Sequence, residues 1–286
     1  MIQITITLIL PCKALLHRSN KLWKNGNVHA FFNHSYNDII SVENLLAAWQ
    51  EFLRGKRKKR DVQEFGCRLM DNILKLHREL KKKTYAHGSY HAFNISDPKP
   101  RNIHKASVRD RLFHHAVYRV MYPFFDKRFI IDSFSCRLEK GAHKAINRFR
   151  SFFRRASKNN TKTCWVLKCD IRKFFENIDH ETLISTLEKY RIDEDALWLL
   201  KNIIGSFSSK RIGIGLPLGN LTSQLLVNVY MSEFDHHVKH MLKAQYYIRY
   251  ADDFCVLSDN RERLKKIYSR DGKLFKRKTA PRTSSQ

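Results

Sequence analysis

An α+β fold is what this 286-residue sequence predicts, from two kinds of apolar pattern. In stretches such as 61–83, Val62, Phe65, Leu69, Ile73, Leu76 and Leu80 step by three and four, the period of a helix with one buried face. Two short apolar runs, Cys164–Asp170 and Tyr247–Leu257, have strand character instead. Both carry acids: Asp170 ends the first, and Asp252 and Asp253 interrupt the second. The length suits about two domains and a sizeable core.

The run Tyr247–Leu257 reads as two strands joined by a tight turn with the acidic pair at its tip. Adjacent carboxylates beside hydrophobic strands repel each other and lose solvation, and a divalent cation removes both costs. Magnesium favours hard oxygen ligands and often takes only one or two carboxylates, leaving the other positions to water and substrate phosphates. Taken alone, the pair is better accounted for by a solvated turn. Asp170 adds weight to the metal reading, because acids from two elements can hold two metals about 4 Å apart for displacement at phosphorus. Neighbouring strand side chains face opposite ways, so Asp252 is expected as the closer ligand and Asp253 as an auxiliary acid.

From the start of the chain, residues 1–10 are apolar but lack a basic beginning and are too short to span a bilayer. They predict an edge strand or an extension from a mis-assigned start codon, and residues 1–35 are treated as an N-terminal extension. Residues 36–54 predict a helix with Ser41 as a cap and Leu45, Leu46, Trp49 and Leu53 at helical spacing. The basic run Lys56–Arg60 suits a solvated loop or a nucleic-acid contact, and a second helix covers 61–83. Residues 90–95 and 101–105 form a strand pair around the turn Asp97-Pro-Lys-Pro. A helix then runs from Val108 to Met121, ended by Pro123. Its adjacent His114 and His115 diverge on a helix, so they are read as core or helix-face residues and not as metal ligands.

Lys140-Gly141 opens a helix with Ala142, Ala145, Ile146, Phe149 and Phe153 inward and four arginines elsewhere on its surface. Asp179 caps a helix to about Tyr190, and another spans 195–204. Gly213, Gly215 and Gly219 permit close backbone approach to a ligand. The helix that follows runs to about Met241 with Leu225, Leu226, Val229 and Phe234 on its inner face.

The formal charge is +27, from 54 basic and 27 acidic residues, with clusters at Lys56–Arg60 and Lys81–Lys83. Such an excess suits a phosphate-rich partner. The six cysteines show no zinc spacing and read as buried thiols in a reducing compartment. With no stretch of transmembrane length, the expected location is the cytoplasm, away from membranes.

Tyr250-Ala-Asp-Asp253 resembles the signature of reverse transcriptases, and Asp170 with its following Phe174-Phe175 resembles the first catalytic block of their palm. Gly215-Leu-Pro-Leu-Gly-Asn-Leu-Thr-Ser-Gln224 is similar to the third block. Asp97–Arg101, Arg109–Arg111 and Phe129–Gly141 are similar to the fingers blocks of bacterial members. The blocks stand in the family's order over residues 36–257. The resemblance implies a right-hand polymerase with fingers over 36–160 and a palm over 161–257. A thumb is missing from this reading, which takes 258–286 as a basic, disordered tail and the chain as truncated. It further implies an RNA-directed DNA polymerase using two Mg²⁺, held by Asp170, Asp252, Asp253 and the backbone carbonyl of Ile171. Arg101 and Arg111 match positions that reach the triphosphate, with Arg109 and Lys105 as weaker candidates. Gly219 and Gln224 line the nucleotide, and Phe175 sits where an aromatic ring excludes a ribose 2′-hydroxyl. Phe174 is read as core.

Leu218 and Gln224 depart from the commoner family residues Gln and Pro. In this they resemble the reverse transcriptases of diversity-generating retroelements, which copy RNA with low fidelity beside a small basic accessory protein. The implied partners are an RNA template, a DNA or RNA primer and deoxynucleoside triphosphates. The alternative is a catalytically inactive, RNA-binding remnant of such an enzyme.

Overall fold

The computed structural model describes residues 2–10, 32–96 and 100–267, the first of these stretches by its backbone alone. In chain order the elements are β1 (Ile2–Leu10), α1 (Tyr36–Ile40), α2 (Val42–Phe52), α3 (Arg60–Cys67), α4 (Leu69–Lys81), β2 (His91–Ile95), β3 (Arg101–Lys105) and α5 (Val108–Asp126). There follow α6 (Ala142–Ala156), β4 (Cys164–Ile171), α7 (His180–Glu188), α8 (Glu194–Gly205), α9 (Leu221–His236), β5 (Tyr246–Tyr250) and β6 (Asp253–Ser258). They belong to two compact units that interleave along the chain: residues 1–26, 129–174 and 231–286, and residues 27–128 and 175–230.

The first unit is built on a four-stranded sheet of order β1-β4-β6-β5. β4 and β5 both run antiparallel to β6, whereas β1 lies parallel to β4 at the sheet edge. The edge-strand reading of residues 1–10 therefore holds. α6 covers one sheet face, where Phe152 and Ala156 meet Cys164, Val166, Ile248 and Leu257. On the opposite face Phe234, near the end of α9, packs against Tyr247 and Phe254 with ring centres 6.3 and 5.1 Å away. Burying both faces explains why these strands read as nearly continuous apolar runs.

The second unit packs helices α1–α5 around Ile39, Leu45, Phe52, Ile73, Leu76, Leu80, Leu112 and Phe113. Ser41 caps α2 as expected, accepting from the Asn44 N–H. Asp179 and Asp193 cap α7 and α8 in the same way. β2 and β3 form an antiparallel hairpin whose outer strand is exposed throughout. Residues 97–99 of its expected turn lie outside the described residues.

Several expectations need correcting. The helix over 61–83 is two helices, broken at Arg68, whose φ of −122° and ψ of 42° leave the helical region. Pro123 does not end α5, which continues to Asp126. An internal proline costs about 3 kcal/mol. Burial of Tyr122 and Phe125, with Phe125 edge-on to Tyr190, offsets it. On α6 the buried residues are Phe152 and Ala156, while Ile146 is 49% exposed, because the helix packs through its C-terminal half. α9 is buried on nearly every side and gives way at His237 to a π-helical turn reaching Met241. Of the cysteines, Cys164 and Cys169 are buried, but Cys67 and Cys136 are exposed, one at a helix end and the other in a turn with φ 55°. Cys12 lies outside the described residues. Beyond Leu257, residues 261–267 are helical with Leu264 and Ile267 buried, so ordered structure continues past the last matched block; residues 268–286 lie outside the described residues. No described helix is long and apolar enough to cross a membrane.

Candidate catalytic residues

The candidate residues divide between the units. Asp170, Ile171, Asp252 and Asp253 belong to the first, and Arg101, Arg111, Phe175, Gly219 and Gln224 to the second.

In the first unit, the acids sit where the sequence pattern put them. Tyr250 faces Asp253, so Ala251 and Asp252 are the two residues of a tight hairpin turn. Ala251 is left-handed, with φ 55°, the conformation that such turns require and that a Cβ makes costly. The β4–β6 register ends with Cys169 opposite Phe254, and one further step lays Asp170 opposite Asp253. Residues that face each other across a ladder share a sheet face, so Asp170 and Asp253 share one with Lys168. The Lys168 ammonium stands 3.9 Å from the Asp253 carboxylate. Asp252 belongs to the turn, so strand alternation does not set its direction. Ile171 is buried at the end of β4. The neighbouring Cys255 thiol is pushed up to about 11 by burial, Lys168 opposing and Asp253 adding, which leaves it un-ionised at neutral pH.

Among the described residues no three His, Cys, Asp or Glu side chains converge into a self-sufficient metal cage. Two or three carboxylates at a strand end and a turn are nevertheless the donor set that Mg²⁺ uses when substrate phosphates and water complete its shell. The residues fit an ion that arrives with its phosphate ligand.

Beneath the turn lies an arrangement that the motif reading missed. Arg249, 1% exposed and next to last in β5, donates to both carboxylate oxygens of Asp235 at 2.7–3.0 Å. The Tyr247 hydroxyl donates to the same carboxylate at 2.6 Å. Burial and the adjacent Asp235 raise the Tyr247 hydroxyl well above its ordinary value. Arg249 also donates to the Ser133 hydroxyl at 3.2 Å and to the Ala251 carbonyl at 2.9 Å. Its backbone pairs with the Phe129–Gly141 block, accepting from the Phe134 N–H and donating to the Asp132 carbonyl. The signal was present in the sequence: an arginine inside an apolar strand has to find a buried counter-charge.

In the second unit, Arg101 is exposed at the start of β3. Arg111 is engaged: it donates to Asp61 at 2.7 Å and lies over the Phe52 ring, with its Nε buried and unpartnered. Lys105 donates to the same Asp61 carboxylate at 2.7 Å. Burial alone would raise the Asp61 carboxyl, but Lys105 and Arg111 outweigh it and hold it below its ordinary value. Arg109 is tied to Glu79, Asp110 and the Ala86 carbonyl.

Gly219 has φ 101°, and a Cβ there would stand 2.9 Å from Ile103 Cγ2. Its missing side chain admits the chain's own hairpin: the His104 N–H donates to the Leu218 carbonyl, and the Asn220 amide donates to the His104 carbonyl. Gly215 similarly admits Ser209, which a Cβ would meet at 2.8 Å. Gln224 is half-buried in the first turn of α9. Phe175 is half-buried and opens a 3₁₀ turn, its carbonyl accepting from the Leu216 N–H at 2.8 Å, whereas Phe174 is buried as expected of core.

Residues 80–278 match the reverse transcriptase (RNA-dependent DNA polymerase) family. Over 150 residues, half of this chain, the sequence is 27% identical to Protein YkfC of Escherichia coli, spanning 38% of that protein. Over 239 residues, 80% of this chain, it is 23% identical to the group II intron-encoded protein LtrA of Lactococcus lactis subsp. cremoris, spanning 39% of it. A putative COX1/OXI3 intron 1 protein of Saccharomyces cerevisiae is 25% identical over 57% of this chain and 20% of its own length. The chain thus spans about two fifths or less of these relatives. Among solved structures, a partial Cas6-RT-Cas1–Cas2 complex aligns with 83% of this chain and 42% of its own, at 19% identity and a TM-score of 0.47. The family match covers well over half of the sequence, and the chain belongs to the reverse transcriptase family.

Proposed function

We propose that the chain is an RNA-directed DNA polymerase that extends a primer on an RNA template. In this reaction a primer 3′-hydroxyl attacks the α-phosphate of a deoxynucleoside triphosphate and pyrophosphate leaves. The observation that carries the reading is the strand register, whose last facing pair, Cys169 and Phe254, stands one residue from Asp170 and Asp253, in a chain of this family. Asp170 and Asp252 are assigned as the principal Mg²⁺ ligands, Asp253 as an auxiliary acid and the Ile171 carbonyl as a further donor. When bound, two Mg²⁺ supply charge stabilisation for the attacking and leaving oxygens.

The chain's own residues do the rest. Arg101 offers a guanidinium fork to the triphosphate. Arg111 joins it by exchanging the Asp61 carboxylate for phosphate. Gly219 and Gln224 line the nucleotide, and the Phe175 ring occupies the volume of a ribose 2′-hydroxyl. The fingers are assigned to 36–160 and the palm to 161–257. Leu218 and Gln224 assign the enzyme to the retroelement type that copies with low fidelity beside a small basic accessory protein, in the cytoplasm. The charge of +27 serves the template and primer backbones.

The test is primer extension by the purified chain on an RNA template with deoxynucleotides and Mg²⁺. Asp252→Asn is expected to abolish incorporation and leave RNA affinity unchanged. Tight RNA binding with no extension by the wild-type chain would instead establish the RNA-binding remnant.

A further inference from the structure

We infer that Arg249 is a positioning residue for the metal-binding turn: Asp235 holds its guanidinium so that Nη1 fixes the Ala251 carbonyl and, through that peptide, the direction of Asp252. This rests on the polymerase reading, because it assigns Asp252 its role as a ligand.

Three observations carry it. First, Arg249 and Asp253 stand on opposite sheet faces: Arg249 faces Phe254 across the ladder, and Asp253 is the next residue along. The guanidinium therefore lies on the face packed by the end of α9 and supports the turn from behind. It is not positioned as a ligand of whatever the acids bind. Second, the bond to Ala251 at 2.9 Å is made to the residue held at φ 55°. A non-glycine residue keeps that conformation only when its surroundings over-determine it, and here the over-determining contact is named. Third, the support is itself rigid. Asp235 is fully buried, takes the guanidinium through both oxygens and accepts from Tyr247 as well. The Arg249 backbone is pinned on both sides by Asp132 and Phe134. Asp132 is in turn held by Arg148 and Lys239, each at 2.6 Å. A planar fork can grip a carboxylate and reach a carbonyl together, which a lysine ammonium on a flexible stem cannot do in the same geometry.

Two variants of the full chain test this. Arg249→Lys keeps the charge opposite Asp235 and loses the fork. The triple variant Asp235→Leu/Tyr247→Phe/Arg249→Met removes the buried polar group as a whole, which an apolar replacement of similar volume tolerates. In each folded variant, verified by circular dichroism, Mn²⁺ affinity followed by electron paramagnetic resonance should fall about 10- to 100-fold, the usual effect of removing a group that orients a metal ligand. Amide exchange at residues 251–253 should accelerate by about the same factor, while β4 keeps its protection. A folded variant with wild-type exchange at the turn overturns the proposal. Asp252→Asn separates the two ideas. If it leaves Mn²⁺ affinity intact, the metal assignment fails and exchange alone judges Arg249. If it lowers Mn²⁺ affinity while the Arg249 variants do not, the positioning role fails and the metal assignment stands. Should both variants unfold, the wild-type chain decides: turn amides exchanging at free-peptide rates overturn the proposal.

Discussion

Hairpins β2–β3 and β5–β6 each align five facing pairs, and each carries an arginine, Arg101 in one and Arg249 in the other. In the first hairpin every residue of β2 is exposed and Arg101 stands in solvent. In the second, Tyr247, Ile248 and Arg249 are all buried, and the arginine is surrounded by partners. An exposed guanidinium keeps its hydration and can be given to an incoming anion at little cost. A buried one has already lost its hydration and must be matched by a fixed counter-charge. Under the proposed function, the two hairpins would serve two separate needs: reach for a substrate that comes and goes, and a rigid seat for the acids assigned to the metal.

The widest gap should appear in stability. Arg249→Ala leaves Asp235 buried and unpaired, which costs about 3–5 kcal/mol. Arg101→Ala should stay within about 0.5 kcal/mol of the parent. Urea unfolding of the two variants measures both; comparable losses would erase the contrast between the hairpins.

Acid should distinguish the units next. Burial, with His87 adding, pushes His114 down to about 3, and burial together with Lys56 and Arg111 pushes His115 down to about 4, both in the second unit. Their folded values lie below the unfolded value near 6.5, so the unfolded chain binds protons first. Stability from these groups is complete above pH 6.5 and is lost as the pH falls toward 4, by a few kcal/mol in total. The carboxyls of Asp61 and Asp110, held below their ordinary values, contribute a loss only at still lower pH. Hydrogen exchange followed from pH 7 to pH 4.5, corrected for intrinsic rates, should therefore loosen α5 before β5 and β6. Uniform loosening, or none, would show that these histidines do not govern acid stability.

How far the sequence reveals this contrast depends on the range of each interaction. The Asp252-Asp253 turn, the Asp170 strand, the β2–β3 pair and the caps Ser41 and Asp179 are local patterns, and local physics makes them readable. Pairing Arg249 with Asp235 joins a strand to a helix end fourteen residues earlier, and nothing in the run of apolar residues names the partner. Arg111 looks like a phosphate ligand by its block, but Asp61, fifty residues upstream, already holds it. Pro123 marks a local stop that the burial of Phe125 overrides. The glycines before α9 announce close approach without saying of what, and the sequence does not name Ile103 as the neighbour of Gly219.

That last contact sharpens the picture of the exposed hairpin, whose β3 strand is seated on the turn at residues 218–220 although β2 is open to solvent. Gly219→Ala meets Ile103 at 2.9 Å and must also hold φ 101°, so a loss of about 1–3 kcal/mol is expected. Adding Ile103→Ala removes the clash but not the backbone strain, so the double variant should cost less than the sum of the single ones. Strict additivity in thermal unfolding would mean that the hairpin is not seated on this turn.

The smallest difference in rate, about tenfold, is expected from a pair of adjacent rings treated as differently as the two arginines. Phe174 is buried and Phe175 is half-buried at the start of its 3₁₀ turn. Phe174→Ala should behave as a core truncation, costing about 3–5 kcal/mol of stability without altering the choice of sugar. Phe175→Ala should do the reverse, because it opens the volume a 2′-hydroxyl needs and leaves every proposed metal ligand in place. Ribonucleotide incorporation should rise relative to deoxynucleotide incorporation by at least about tenfold, which needs only about 1.4 kcal/mol of differential transition-state binding. Single-nucleotide extension with matched ribo- and deoxynucleotides gives the ratio of kcat/KM directly. If Phe174→Ala relaxes sugar choice and Phe175→Ala does not, the gate lies one residue earlier than proposed. If neither does, this block excludes the ribose by some means other than an aromatic ring.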